Sequence, residues 1–121
     1  DVTDGLKMMS GLNKNFYQKT LEIIKNDKRS KTKIYNVETA TFKEIIKDNK
    51  NIDYLSIDIE GGELSLLETI DFDFYNIKIL SLENNTPNVV KYNQLLERKN
   101  FKFFDYIGVD EIYFNKKYFN L

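Results

Sequence analysis

The most ordered pattern along this chain is an apolar and branched run from Ile52 to Ile59, closed by Glu60, the pair Gly61-Gly62 and Glu63. Such a run is short for a helix and usual for a strand, and Lys50-Asn51 and the glycines bound it, so it predicts a strand. Beyond the glycines the period changes. Leu64, Leu66, Leu67 and Ile70 give a helix an apolar face. A second apolar run, Ile77 to Leu82, then stops at Glu83. A strand, a helix and a strand in this order form a crossover that makes the strands parallel, and sheets of that kind place ligands outside the carboxyl ends of their strands. Asp58, Glu60 and Glu83 are therefore expected to gather at one rim.

The flanking segments are read the same way. Phe16, Thr20, Ile23 and Ile24 have helical spacing, and Ile34 to Thr39 alternates like a short strand. Thr39 to Thr41 offer hydroxyl caps to a helix carrying Phe42, Ile45 and Ile46, which Asp48-Asn49 ends. Downstream, Asn84 to Asn88 reads as a loop, with Pro87 near the start of a helix over about Val89 to Lys99. Its inner positions are Val89, Tyr92 or Asn93, and Leu96, and Asn100 is a left-handed stop. Phe101 to Ile107 and Glu111 to Phe114 are two further strands, joined through Gly108-Val109-Asp110. That link is too short for a parallel crossover, so the chain closes with an antiparallel hairpin.

Composition narrows the chemistry. A length of 121 residues predicts one domain, residues 1–121, and a hydrophobic fraction of 41% with 14% aromatics predicts that it folds. Eighteen basic against 19 acidic side chains leave a net charge of -1, which gives no field to draw in nucleic acid or an anionic membrane. Without cysteine there are no disulfides or thiolate metal sites, and without histidine the usual general base is missing. Chemistry falls to carboxylates, amides, Lys and Tyr. No stretch approaches the apolar length of a spanning helix and no basic-then-apolar leader opens the sequence, so a cytoplasmic protein is expected.

A parallel unit closed by an antiparallel hairpin is the ending of Rossmann-like methyltransferases, and here a family resemblance can be given. Ser10-Gly11-Leu12, Val37 to Phe42, the block Ile52 to Glu63, Leu80 to Glu83 and Gly108 to Tyr113 resemble the carboxyl-terminal half of the FkbM family of S-adenosylmethionine-dependent methyltransferases. The similarity covers most of the chain from about residue 10, and its specificity rests on the Asp-x-Glu-Gly-x-Glu core, Asp58 to Glu63. The resemblance implies an α/β fold: a Rossmann-like methyltransferase sheet, mostly parallel with a terminal antiparallel hairpin. It also implies S-adenosylmethionine as cofactor and a hydroxyl of a small molecule or saccharide as acceptor. Asp58 would lie nearest the reacting centre, with Glu60, Gly61, Glu63, Glu83 and Asn84 shaping acceptor binding. One departure stands out. The glycine-rich turn that holds the cofactor in such enzymes is missing, since Gly5, Gly11, Gly61, Gly62 and Gly108 show no G-x-G spacing. The chain is accordingly expected to lack the amino-terminal cofactor half, with its cofactor-binding residues unknown, and to be inactive alone.

Methyl transfer to oxygen needs alignment and removal of the acceptor's proton. Two acids two apart on an extended strand leave by one face, which would direct Asp58 and Glu60 to one substrate. A carboxylate is a weak base for an alcohol, so either burial and like charge raise its pKa or a divalent cation lowers that of the acceptor. Asp58, Glu60 and Glu83 are hard oxygen donors compatible with Mg²⁺ or Ca²⁺, but three acids do not establish a metal. Plainer readings stand beside these. Asp58 can cap the following helix, Glu63 can serve as its amino-terminal acid, Glu83 to Asn85 can be a solvated loop, and Asp110-Glu111 a hairpin turn. A noncatalytic remnant or interaction domain, and a carboxylate-metal hydrolase, are the competing functions.

Overall fold

In the computed structural model four strands, β1 (Asn51–Ile57), β2 (Asn76–Glu83), β3 (Phe101–Ile107) and β4 (Asp110–Asn115), pair in the order β1-β2-β4-β3. The structure describes residues 36–120 apart from 86, 88 and 89, together with 22, 25 and 26. β1 and β2 are parallel, with Ile52 level with Ile77 and Ile57 level with Leu82. β4 is antiparallel to β2 and to β3, so the hairpin docks through its second strand. The described sheet is thus mixed, with one parallel pairing and two antiparallel ones: β1, β2 and β3 run in one direction and β4 alone opposes them, the terminal antiparallel hairpin that was expected. The reason is the placement of β4: by inserting between β2 and β3 it makes antiparallel both contacts that follow β2.

Three short helices among the described residues of 41–121 accompany these strands: α1 (Phe42–Ile46), α2 (Glu63–Thr69) and α3 (Tyr92–Arg98). A capping box starts α1. Glu44 N donates to Thr41 Oγ1 at 3.2 Å, while Thr41 N donates to Glu44 Oε2 at 2.7 Å, satisfying two amides that the helix leaves unpaired. Lys47, at φ 54, ends it. Phe42 packs edge-on against Tyr75 with ring centroids 5.1 Å apart, and the Tyr75 hydroxyl donates to Lys47 O at 2.8 Å. At the far end of α3, Asn100 takes the left-handed conformation expected of it, φ 69.

In α2 the buried positions are Glu63, Leu67 and, just past its end, Ile70, spaced four and three apart as one helical face. The sequence pattern had put Leu64 on that face, but Leu64 points outward and is 38% exposed. A carboxylate takes the inner position because it meets a hydrogen-bond partner there. Leu67, Ile77, Leu80, Leu82, Leu96 and Phe101 are fully buried and form the centre of the core, with Tyr113 of β4 among them.

The chain divides into two units, Thr41–Asp58 with Glu63–Leu121, and Asp1–Ala40 with Ile59–Gly62. The sheet and α1 to α3 belong to the first. In the second, Glu22, Lys25 and Asn26 are helical and residues 36–40 carry no regular structure. The strand expected at Ile34 to Thr39 is therefore not formed over its described part. Most of the helix expected at Phe16 to Ile24, the start of the 34–39 segment, and Val89 lie outside the described residues. Among the described residues no helix is long and apolar enough to cross a membrane.

Leu80 lies in β2, between β1 and β4, and is fully buried. Leu80→Ala should lower the unfolding free energy by about 2–5 kcal/mol in a urea titration. A loss under about 1 kcal/mol would show that this sheet does not carry the core.

Candidate active site

β1 ends at Ile57, one residue short of Asp58, and its register partner Leu82 is followed directly by Glu83. The parallel pairing therefore delivers the two acids side by side. Each presents a carboxylate oxygen, and these lie within 4.8 Å of one another, Asp58 exposed and Glu83 half-buried. On its other side Glu83 is paired with Asp110 of β4. Burial raises the pKa of Glu83, the negative charges of Asp58, Glu63 and Asp110 add to the rise, and a hydrogen bond from the Asn85 side chain opposes it.

A buried polar layer stands behind this edge. Glu111, 6% exposed, accepts from Asn84 Nδ2 at 2.7 Å and from the Tyr113 hydroxyl. The same Asn84 amide group donates to Val90 O at 3.2 Å, and Asn84 N donates to Val109 O at 3.1 Å. Burial pushes the Tyr113 phenol far up, and its hydrogen bond to Glu111 adds to this, so it stays a donor at neutral pH. Ser81 Oγ donates to Asp110 Oδ2 at 3.2 Å. From α3, the buried Tyr92 hydroxyl donates to Glu83 O at 3.1 Å and lies 3.4 Å from Glu63 Oε2.

Of the residues expected here, Asp58 and Glu83 are brought together at the carboxyl ends of adjacent strands. Glu63 is buried at the start of α2, and Asn84 is buried with its amide engaged by Glu111 and Val90. Glu60 and Gly61 belong to the 59–62 segment of the second unit, where both have positive φ, 55 and 97. The alternation argument for Asp58 and Glu60 does not apply, because the strand stops at Ile57 and the chain bends at Glu60. A hairpin turn at Asp110-Glu111 is not what forms, whereas Glu111 lies in the last strand as its apolar pattern predicts. The turn is Gly108-Val109, with Gly108 at φ 65, and both acids lie in β4. The available signal was that these acids open an apolar strand, a place where a charge needs a reason.

A pair of carboxylate oxygens suits a hard cation or a shared proton equally well, and exposed acidic groups are common without an ion, so no metal is assigned. The glycines of the described residues, Gly61, Gly62 and Gly108, make no G-x-G turn at a strand end.

The model of a family described as the Methyltransferase FkbM domain matches residues 9–103, which include β1, α2, β2 and α3 and both acids of the pair. No curated protein and no solved structure matches the chain.

The raised pKa of Glu83 has a consequence for stability. In the unfolded chain Glu83 releases its proton at a lower pH than in the folded one, so the folded state holds the extra proton between those values and loses stability as pH rises through them. Glu83→Gln should therefore raise the melting temperature at pH 7. The gain should vanish below the ordinary Glu pKa of 4.5. An equal gain at both ends of the pH range would contradict this.

Proposed function

The chain belongs to the FkbM family of methyltransferases, and from that membership we propose that it forms the acceptor side of an S-adenosylmethionine-dependent O-methyltransferase acting on a hydroxyl of a small molecule or saccharide. The observation that carries this reading is the Asp58–Glu83 pair, set within 4.8 Å at the ends of two parallel strands inside the matched region. The antiparallel insertion of β4 between β2 and β3 supports a Rossmann-like methyltransferase sheet for the whole fold.

An alcohol attacks a methyl carbon efficiently only when its oxygen is held in line and its proton has somewhere to go. Ordinary carboxylates are too weakly basic to help much. Burial and the neighbouring negative charges make Glu83 hold its proton more tightly than a free glutamate. In this reading Asp58, exposed at the edge, meets the acceptor hydroxyl, and Glu83 shares the proton and fixes the pair's orientation. Asn84 and Glu63, with side chains engaged inside the protein, hold the edge in place.

The test is methyl transfer by the native gene product to a panel of hydroxylated acceptors, with labelled cofactor. Asp58→Asn removes the charge at nearly constant shape and should lower turnover by about 10²- to 10⁴-fold, the usual contribution of a general base, with the melting temperature nearly unchanged. Wild-type turnover in that variant would refute the assignment.

A further inference from the structure

Glu83 is crowded by like charge, since Asp58, Glu63 and Asp110 all act on it with the same sign. Mutual repulsion would spread these side chains apart unless the backbone under them were fixed. Hydrogen-bonding groups behind the edge fix it. One residue beyond Glu83, Asn84 is tied through its amide N to Val109 and through its side chain to Val90 and Glu111. Glu83 itself is tied through its carbonyl, which accepts from the Tyr92 hydroxyl at 3.1 Å. That hydroxyl also lies 3.4 Å from Glu63 Oε2, so a single phenol links the end of β2 with the starts of α2 and α3.

We propose that Tyr92 is a positioning residue: its buried hydroxyl fixes the main chain at Glu83 against the start of α2, and so sets how closely the Glu83 carboxylate faces Asp58. This rests on the acceptor-site reading given above. The ring of Tyr92, 3% exposed among the core residues, would pack as well if it were phenylalanine. The hydroxyl is the part that packing does not require, and a buried hydroxyl is favourable only where it is hydrogen-bonded. Tyr92 touches neither acid's role in proton transfer directly. It acts through the carbonyl of Glu83.

Side-chain carboxyl titration of Glu83, followed by NMR in protein labelled at the glutamate δ-carbon, separates positioning from mere stability. Tyr92→Phe should let Glu83 relax outward and move its titration midpoint down toward the ordinary value of 4.5. Leu95→Ala, on the same helix and packed against the core, should lower the melting temperature while leaving that midpoint in place. An unmoved midpoint in Tyr92→Phe overturns the proposal. Asp58→Asn serves as the control on the site, because removing a facing negative charge should also lower the midpoint. A response to Asp58→Asn with none to Tyr92→Phe removes the role of Tyr92 alone, whereas no response to Asp58→Asn removes the pair and the acceptor-site reading with it. A measurement that needs no variant completes the test: the Tyr92 hydroxyl proton should exchange slowly with water and couple to the Glu83 carbonyl carbon, and a freely exchanging proton overturns the proposal.

Discussion

Parallel pairing of β1 with β2, with Ile57 level with Leu82, sends the carboxyl ends of both strands to the same edge of the sheet. Asp58 and Glu83 are the next residues, so their meeting follows from register and not from any attraction between them. A slip of one residue in β2 would turn its side chains to the opposite faces, moving Leu80 and Leu82 to the face that now carries Ile79 and Ser81. Leu80 and Leu82 are fully buried, and this makes the register costly to change. Core packing thereby holds in place an arrangement of acids that electrostatics alone would oppose.

The opposition is real, because Glu83 keeps its proton to higher pH than a free glutamate as a result of burial and three like charges. Natural sites accept such local losses where function needs them and recover stability elsewhere. Here the recovery lies directly behind the edge. Glu111, Asn84, Tyr113 and Tyr92 form a layer of buried groups with their hydrogen bonds made, which costs little once closed and is destabilising if opened. Among the described residues no buried side-chain polar atom lacks a partner.

Much of the scaffold was legible in the sequence because it rests on local signals. Apolar runs bounded by turn residues gave β1, β2 and β3, the hydroxyl caps at Thr39 to Thr41 gave the start of α1, and Asn100 gave the end of α3. Features that depend on a distant partner were not legible. Hydropathy put Leu64 inside α2, whereas Glu63 takes that position because Tyr92, twenty-nine residues away, meets it. Asp110 read as part of the link because it follows Gly108-Val109, and pairing with Glu83 of β2 puts it in the strand. The hairpin's antiparallel sense was fixed by its short link, but nothing local told which of its strands would dock on β2. Of the site, Asp58 and Glu83 were visible from the way two apolar runs end. Tyr92 looked like any inner position of a helix.

The central claim is that Asp58 and Glu83 face each other, and a chain without cysteine allows it to be tested against a clean background. Adjacent positions on neighbouring strands fall within the span a disulfide can bridge. In a protein carrying both Asp58→Cys and Glu83→Cys, mild oxidation should close an intramolecular disulfide in the monomer, seen as loss of both free thiols and a 58–83 linked peptide in the mass spectrum. Two thiols that stay free in folded monomer under the same oxidant would contradict the account.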